Sequence, residues 1–116
     1  MLLILSILIQ LNFSSATKFV KSIKESDTYK AYYYQLERLK RNPELYEKVN
    51  EFRKRNYEIQ NTSQVDELFD KMDAFEKEYE KFRENPVVDD FLRAELAFCR
   101  LMQEIYTYIT GELDFQ

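Results

Sequence analysis

The sequence predicts an all-α protein, an elongated antiparallel array of about five helices that associates with itself. Three observations carry that prediction. The first is the scarcity of turn residues. The 116 residues include one glycine and two prolines, too few for the corners of sheets or for ligand-cradling loops. The second is a repeated start signal, Asn42-Pro43 and Asn85-Pro86. An asparagine side chain satisfies an orphan N–H at a helix start, and proline fits the first helical position, where its missing donor costs nothing. The third is periodicity. Val88, Leu92, Glu95, Phe98 or Cys99, Met102, Ile105 or Tyr106, and Ile109 recur at steps of three and four, an apolar stripe broken once, by Glu95.

In chain order, the first segment is Met1 to Leu11, MLLILSILIQL. It is about half the ~20 residues a membrane span needs. It has the apolar length of a signal-peptide core, and Ser14-Ser15-Ala16 resembles a cleavage site, but no Lys or Arg precedes it. The preferred reading makes Leu5 to Ile23 one amphipathic helix, with Leu8, Leu11, Phe19 and Ile23 facing the body. Residues 1–8 are then an apolar extension, and residues 9–116 form a single helical domain.

Ser26 or Asp27 opens the next helix, which runs through Tyr29, Tyr32, Tyr33, Leu36 and Leu39 to Arg41. The run Tyr32-Tyr33-Tyr34 resembles a base-stacking platform, but no strand context surrounds it, so helix packing is preferred. After Asn42-Pro43, residues Leu45, Val49, Phe52, Asn56 and Ile59 alternate four-three, as in the seam of a helical hairpin. Asn56 is placed to set its register. Asn61-Thr62-Ser63 is a loop or a soft point in one long helix. Val65, Leu68, Met72, Phe75, Tyr79 and Phe82 then resume the stripe up to Glu84. The last helix runs from Pro86 to about Gly111, with Asp89 and Asp90 in its first turns, where the macrodipole favours negative charge. Gly111 can close its C-terminal end.

Composition bounds the chemistry. Net charge is −4, and histidine is absent. An acidic chain is a poor free-standing nucleic-acid binder, so direct DNA binding is not expected. Without histidine the commonest general base and the commonest zinc ligand are both missing, and Glu-x-x-His di-iron sites cannot be built. Cys99 is the single cysteine. It excludes an internal disulfide, fits a reducing cytoplasm, and reads as a small core residue among Phe98, Leu101 and Met102. Glu95 lies on the apolar face and needs a partner, for which Arg53 or Arg55 is placed. Arg53-Lys54-Arg55, near Arg38, Lys40, Arg41 and Lys48, is the only basic concentration. No catalytic constellation can be assembled.

Three stretches resemble one family: SDTYKAY (Ser26 to Tyr32), NPELYEKVNEFRKRNYEIQ (Asn42 to Gln60) and NPVVDDFLRAELAFCRLMQEIYTYI (Asn85 to Ile109). In order and spacing they resemble the YlbF/YmcA/YheA-like proteins of Firmicutes over nearly the whole chain. The resemblance implies a small self-associating all-α fold with a regulatory, non-enzymatic role. Within that family YlbF and YmcA join YaaT in a complex that affects competence, sporulation and biofilm formation and assists the endoribonuclease RNase Y in mRNA processing. The complex-forming members carry iron–sulfur clusters on cysteines. Cys99 alone does not match a cluster motif, so no cofactor is transferred.

The expected partner is a second copy (a homodimer or larger), with other YlbF/YmcA-family proteins and an RNase Y-type complex as implied partners. The expected interaction residues are Phe91, Phe98, Met102, Ile105 and Tyr106, with Arg53 and Arg55 as the polar choice. The competing reading is RNA binding through the Arg53-Lys54-Arg55 face, or a YheA-like paralogue. Membrane binding is not expected, although association through Met1 to Ile9 would appear as liposome binding lost on deleting them.

Overall fold

A computed structural model describes residues 2–114, with side chains described from residue 12 onward. The described residues form six helices and no strand: α1 (Leu2–Lys24), α2 (Asp27–Lys40), α3 (Pro43–Thr62), α4 (Val65–Glu78), α5 (Glu80–Arg83) and α6 (Pro86–Glu112). The body extends 59 × 38 × 24 Å, with a radius of gyration of 19.2 Å. A compact chain of this length would have about 13 Å, so the array is elongated.

The start signals work as their chemistry requires. Asn42 Oδ1 accepts from the Leu45 N–H at 3.2 Å, and Asn85 Oδ1 accepts from the Val87 N–H at 2.9 Å. Ser26 serves two helices. Its Oγ accepts from the Tyr29 N–H at 3.2 Å and donates to the Ile23 carbonyl at 2.6 Å. The polar step at Asn61 to Ser63 is a true break, because Ser63 is extended (φ −81, ψ 143) and folds α4 back on α3. A second break, unmarked by Gly or Pro, falls at Tyr79 (φ −102, ψ 11) and separates α5 from α4.

The principal packing is antiparallel, α2 on the first half of α6. Tyr32 stacks on Phe98 with ring centres 5.0 Å apart, Tyr29 meets the same ring edge-on at 5.5 Å, and Tyr32 also contacts Phe91 at 5.9 Å. Arg38 Nη1 donates to Asp90 Oδ2 at 2.8 Å at the far end of the pair. Leu39, Val49, Val88 and Phe91 form the sealed core, each at 0 % exposure. A second, aromatic cluster closes the α3–α4 hairpin, where Phe52 and Phe75 stack at 5.0 Å and Tyr79 contacts both.

Three expectations are corrected. Phe19 does not face the body and is exposed, because the extended Ser26 (φ −69, ψ 147) turns the chain after α1, whose side chains from Asn12 to Ser22 are all exposed. The expected body contacts of Leu8 and Leu11, and the side chains of the 1–8 extension, lie outside the described residues. Cys99 is exposed rather than core. Phe98 takes the α2 side of α6, and Cys99, one residue and about 100° further round, looks elsewhere. Gly111 is ordinary helix, while Asp114 takes the positive φ of 55°, a conformation aspartate tolerates better than most residues.

Candidate functional site

Helix α6 has two faces, and they diverge in what covers them. The side bearing Val87, Phe91 and Phe98 is held by α2. The other follows a strict four-three alternation: Val88, Leu92, Glu95, Cys99, Met102, Tyr106, Ile109, Leu113. Such spacing keeps one narrow seam in line along a helix. The seam begins in the core with Val88 at 0 % exposure. It then runs past the cleft that α6 forms with α3 and α4, where Leu92, Glu95 and Cys99 face Phe52, Arg53 and Phe75. Beyond the cleft its side chains are exposed among the described residues. Met102 is 38 %, Tyr106 65 %, Ile109 40 % and Leu113 72 % exposed. From Cys99 to Leu113 the open run measures about 21 Å at 1.5 Å per residue.

Several polar groups in and beside the cleft are paired within the chain. Arg53 Nη1 donates to Glu95, and Arg53 Nη2 donates to Asn50 Oδ1 at 2.6 Å. The Arg53 guanidinium also sits 5.6 Å from the centre of the Phe91 ring. Arg55 forms a bidentate pair with Glu78 at 2.7 and 3.0 Å and donates to the Tyr79 hydroxyl at 3.0 Å. That bonding raises the Arg55 pKa, chiefly through Glu78 and then Tyr79, and draws the Glu78 carboxyl below the ordinary glutamate range. Burial, then the nearby Glu95 charge, pushes the Tyr32 hydroxyl above the usual tyrosine range. Asn56 lines the cleft but accepts from Gln60 of its own helix at 3.3 Å, so it fixes no register between helices.

The structure therefore sorts the anticipated interaction residues into two groups. Phe91 is fully buried and Phe98 is half-buried under Tyr29 and Tyr32, so both hold the protomer together. Arg53 and Arg55 brace α3 to α6 and to α4. Met102 and Tyr106 stand open on the seam, with Ile105 half-buried beside them. Ile109 and Leu113 extend the same line and were absent from the anticipated interaction set, although continuing the alternation by four and three residues would have reached both. The 116 residues hold one cysteine and no histidine, a donor set too small to hold an iron–sulfur cluster within a single chain.

This is an all-helical protein whose polar side chains lock helices together and whose last helix, among the described residues, presents an exposed apolar seam over its second half. The chain belongs to the YlbF/YmcA family, control of competence regulator ComK, whose family model matches residues 13–114. No curated protein and no solved structure matches the chain. Among the described residues, no helix is long and apolar enough to cross a membrane.

Proposed function

We propose that the protein is a non-enzymatic regulatory adaptor of the competence-control family, working in the cytoplasm through helix-mediated contacts with itself and with other proteins. The open end of the α6 seam carries this reading. Large apolar side chains at heptad spacing stay in water only at a cost of roughly 25 cal/mol per Å², and a second helix with the same spacing covers them side by side. A second copy of α6 meets that requirement. Regulation of competence follows from the family, and sporulation, biofilm formation or RNase Y-dependent mRNA processing are the processes in which such an adaptor would act, alongside other YlbF/YmcA-type proteins.

RNA binding through Arg53-Lys54-Arg55 has less support, since both arginines are already engaged by carboxylates of their own chain. Light scattering on the purified protein tests the adaptor reading. The expected result is a dimer or larger species for the native chain and a folded monomer for Met102→Asp/Tyr106→Asp. A monomeric native protein at tens of micromolar, or an assembly indifferent to both substitutions, would overturn it.

A further inference from the structure

From Asn12 to Ser22 every side chain of α1 is exposed, and the chemistry of this helix differs from that of the α6 seam. Phe13, Phe19 and Val20 are 73 %, 44 % and 47 % exposed. Phe13, Ala16 and Val20 share one face with Lys21 and Lys24. Among residues 2–11 only Ser6 and Gln10 are polar. Through residue 24 the charged side chains are Lys18, Lys21 and Lys24, with no carboxylate before Glu25. The rest of the chain is the reverse. It carries all 21 acidic residues against 14 basic ones, the full 17 less these three lysines.

We propose that α1 is a peripheral membrane anchor, its apolar end buried in one leaflet of an anionic bilayer and Lys18, Lys21 and Lys24 held at the lipid phosphates. Polarity in this helix changes along the axis: a run of apolar residues first, then Phe13, then a segment in which Lys18, Lys21 and Lys24 alternate with Phe19, Val20 and Ile23. A protein groove runs parallel to the helix it binds and selects a difference around the axis, like that of the α6 seam. A gradient along the axis matches a boundary between two phases. The dimensions agree. Ten residues of helix span about 15 Å, half of a ~30 Å hydrocarbon core and so the depth of one leaflet. The first lysine follows Leu11 by seven residues, about 10 Å further along, which places it among the headgroups. Each lysine near an anionic surface contributes about 1 kcal/mol, and α1 presents three without a compensating acid, apart from an exposed Lys21–Glu25 contact of 3.9 Å at its end.

Flotation of the full chain with lipid vesicles tests the anchor, using neutral phosphatidylcholine and the same lipid with a quarter phosphatidylglycerol. The expected result is capture by the anionic vesicles that weakens with added salt. Lys18→Glu/Lys21→Glu/Lys24→Glu should lower the partition about a hundredfold, with helix content and solution mass unchanged, because all three side chains are exposed. Leu5→Asp/Leu8→Asp should abolish capture by the anionic vesicles. Absence of flotation would overturn the proposal, as would flotation insensitive to both variants. So would variants that dissociate a dimer while leaving the vesicles unaffected, since α1 would then be a self-association helix.

Discussion

Arg53 of α3 and Glu95 of α6 form an ion pair across the cleft, and the guanidinium rests over Phe91 as it does so. The carboxylate is the more enclosed partner, with side-chain exposure of 22 % against 37 % for the arginine. Arg53→Met leaves Glu95 partly desolvated beside the Tyr32 ring, whereas Glu95→Gln leaves an arginine that keeps Asn50 and the ring face. The expected cost is about 2 kcal/mol for Arg53→Met, less for Glu95→Gln, and less than the sum for the double variant. Urea midpoints at constant slope measure all three. Equal single costs that simply add would mean that the pair contributes no coupling.

Two aromatic residues on α6 separate folding from association. Phe91 is buried at 0 % and Tyr106 is 65 % exposed. Phe91→Ala should cost about 3–5 kcal/mol of protomer stability, enough to unfold much of a marginal domain. Tyr106→Ala should leave far-ultraviolet circular dichroism unchanged and weaken self-association instead. Scattering mass and thermal melts on the two variants check this together. A Tyr106→Ala protein as destabilised as Phe91→Ala would show that the seam is covered within the protomer.

How much of this was legible beforehand depends on the kind of signal. Caps announce themselves locally: Ser26, Asn42 and Asn85 each accept a backbone N–H within three residues, so helix starts could be read from short stretches. The pairing of Glu95 with Arg53 was also accessible, because a carboxylate on an apolar stripe demands a cation. Periodicity alone could not choose between Phe98 and Cys99, since α6 carries apolar residues on two faces and adjacent positions belong to different ones. The departure of α1 was hidden for a related reason. An apolar helix records that it needs cover, while the direction of its exit is set by one extended residue, Ser26. The break at Tyr79 carries no Gly or Pro; the tyrosine that interrupts the helix is also the one its aromatic neighbours and Arg55 hold.

Asn85 is the residue through which α6 begins, and its side chain holds the Val87 N–H while Pro86 removes another donor from the account. Asn85→Ala should cost about 1 kcal/mol, and Asn85→Asp should retain most of the stability because a carboxylate accepts the same bond and faces the positive end of the macrodipole. Thermal melts of the two variants against the native chain decide it. A neutral Asn85→Ala would mean that α6 is fixed by its packing on α2 alone.

The Arg55–Glu78 pair makes hairpin stability depend on pH with a definite sign. Bonding to Arg55 lowers the folded-state pKa of Glu78, so the unfolded chain takes up this proton first as acid is added. The contribution of the pair is therefore complete above the ordinary glutamate range, about 4.3. It is lost as pH falls through the lower folded-state value. Arg55 stays protonated throughout, its own pKa being raised by the same bond. Glu78→Gln removes the titrating group while keeping the shape. The native chain should melt higher than Glu78→Gln at pH 7, and the gap should shrink as acid is added below the ordinary glutamate range and narrow with added salt, since both side chains are partly exposed. Melting curves of the two proteins across that range measure it. A gap that stayed constant with pH would assign the effect of the substitution to packing against Tyr79 rather than to the charge of the carboxylate.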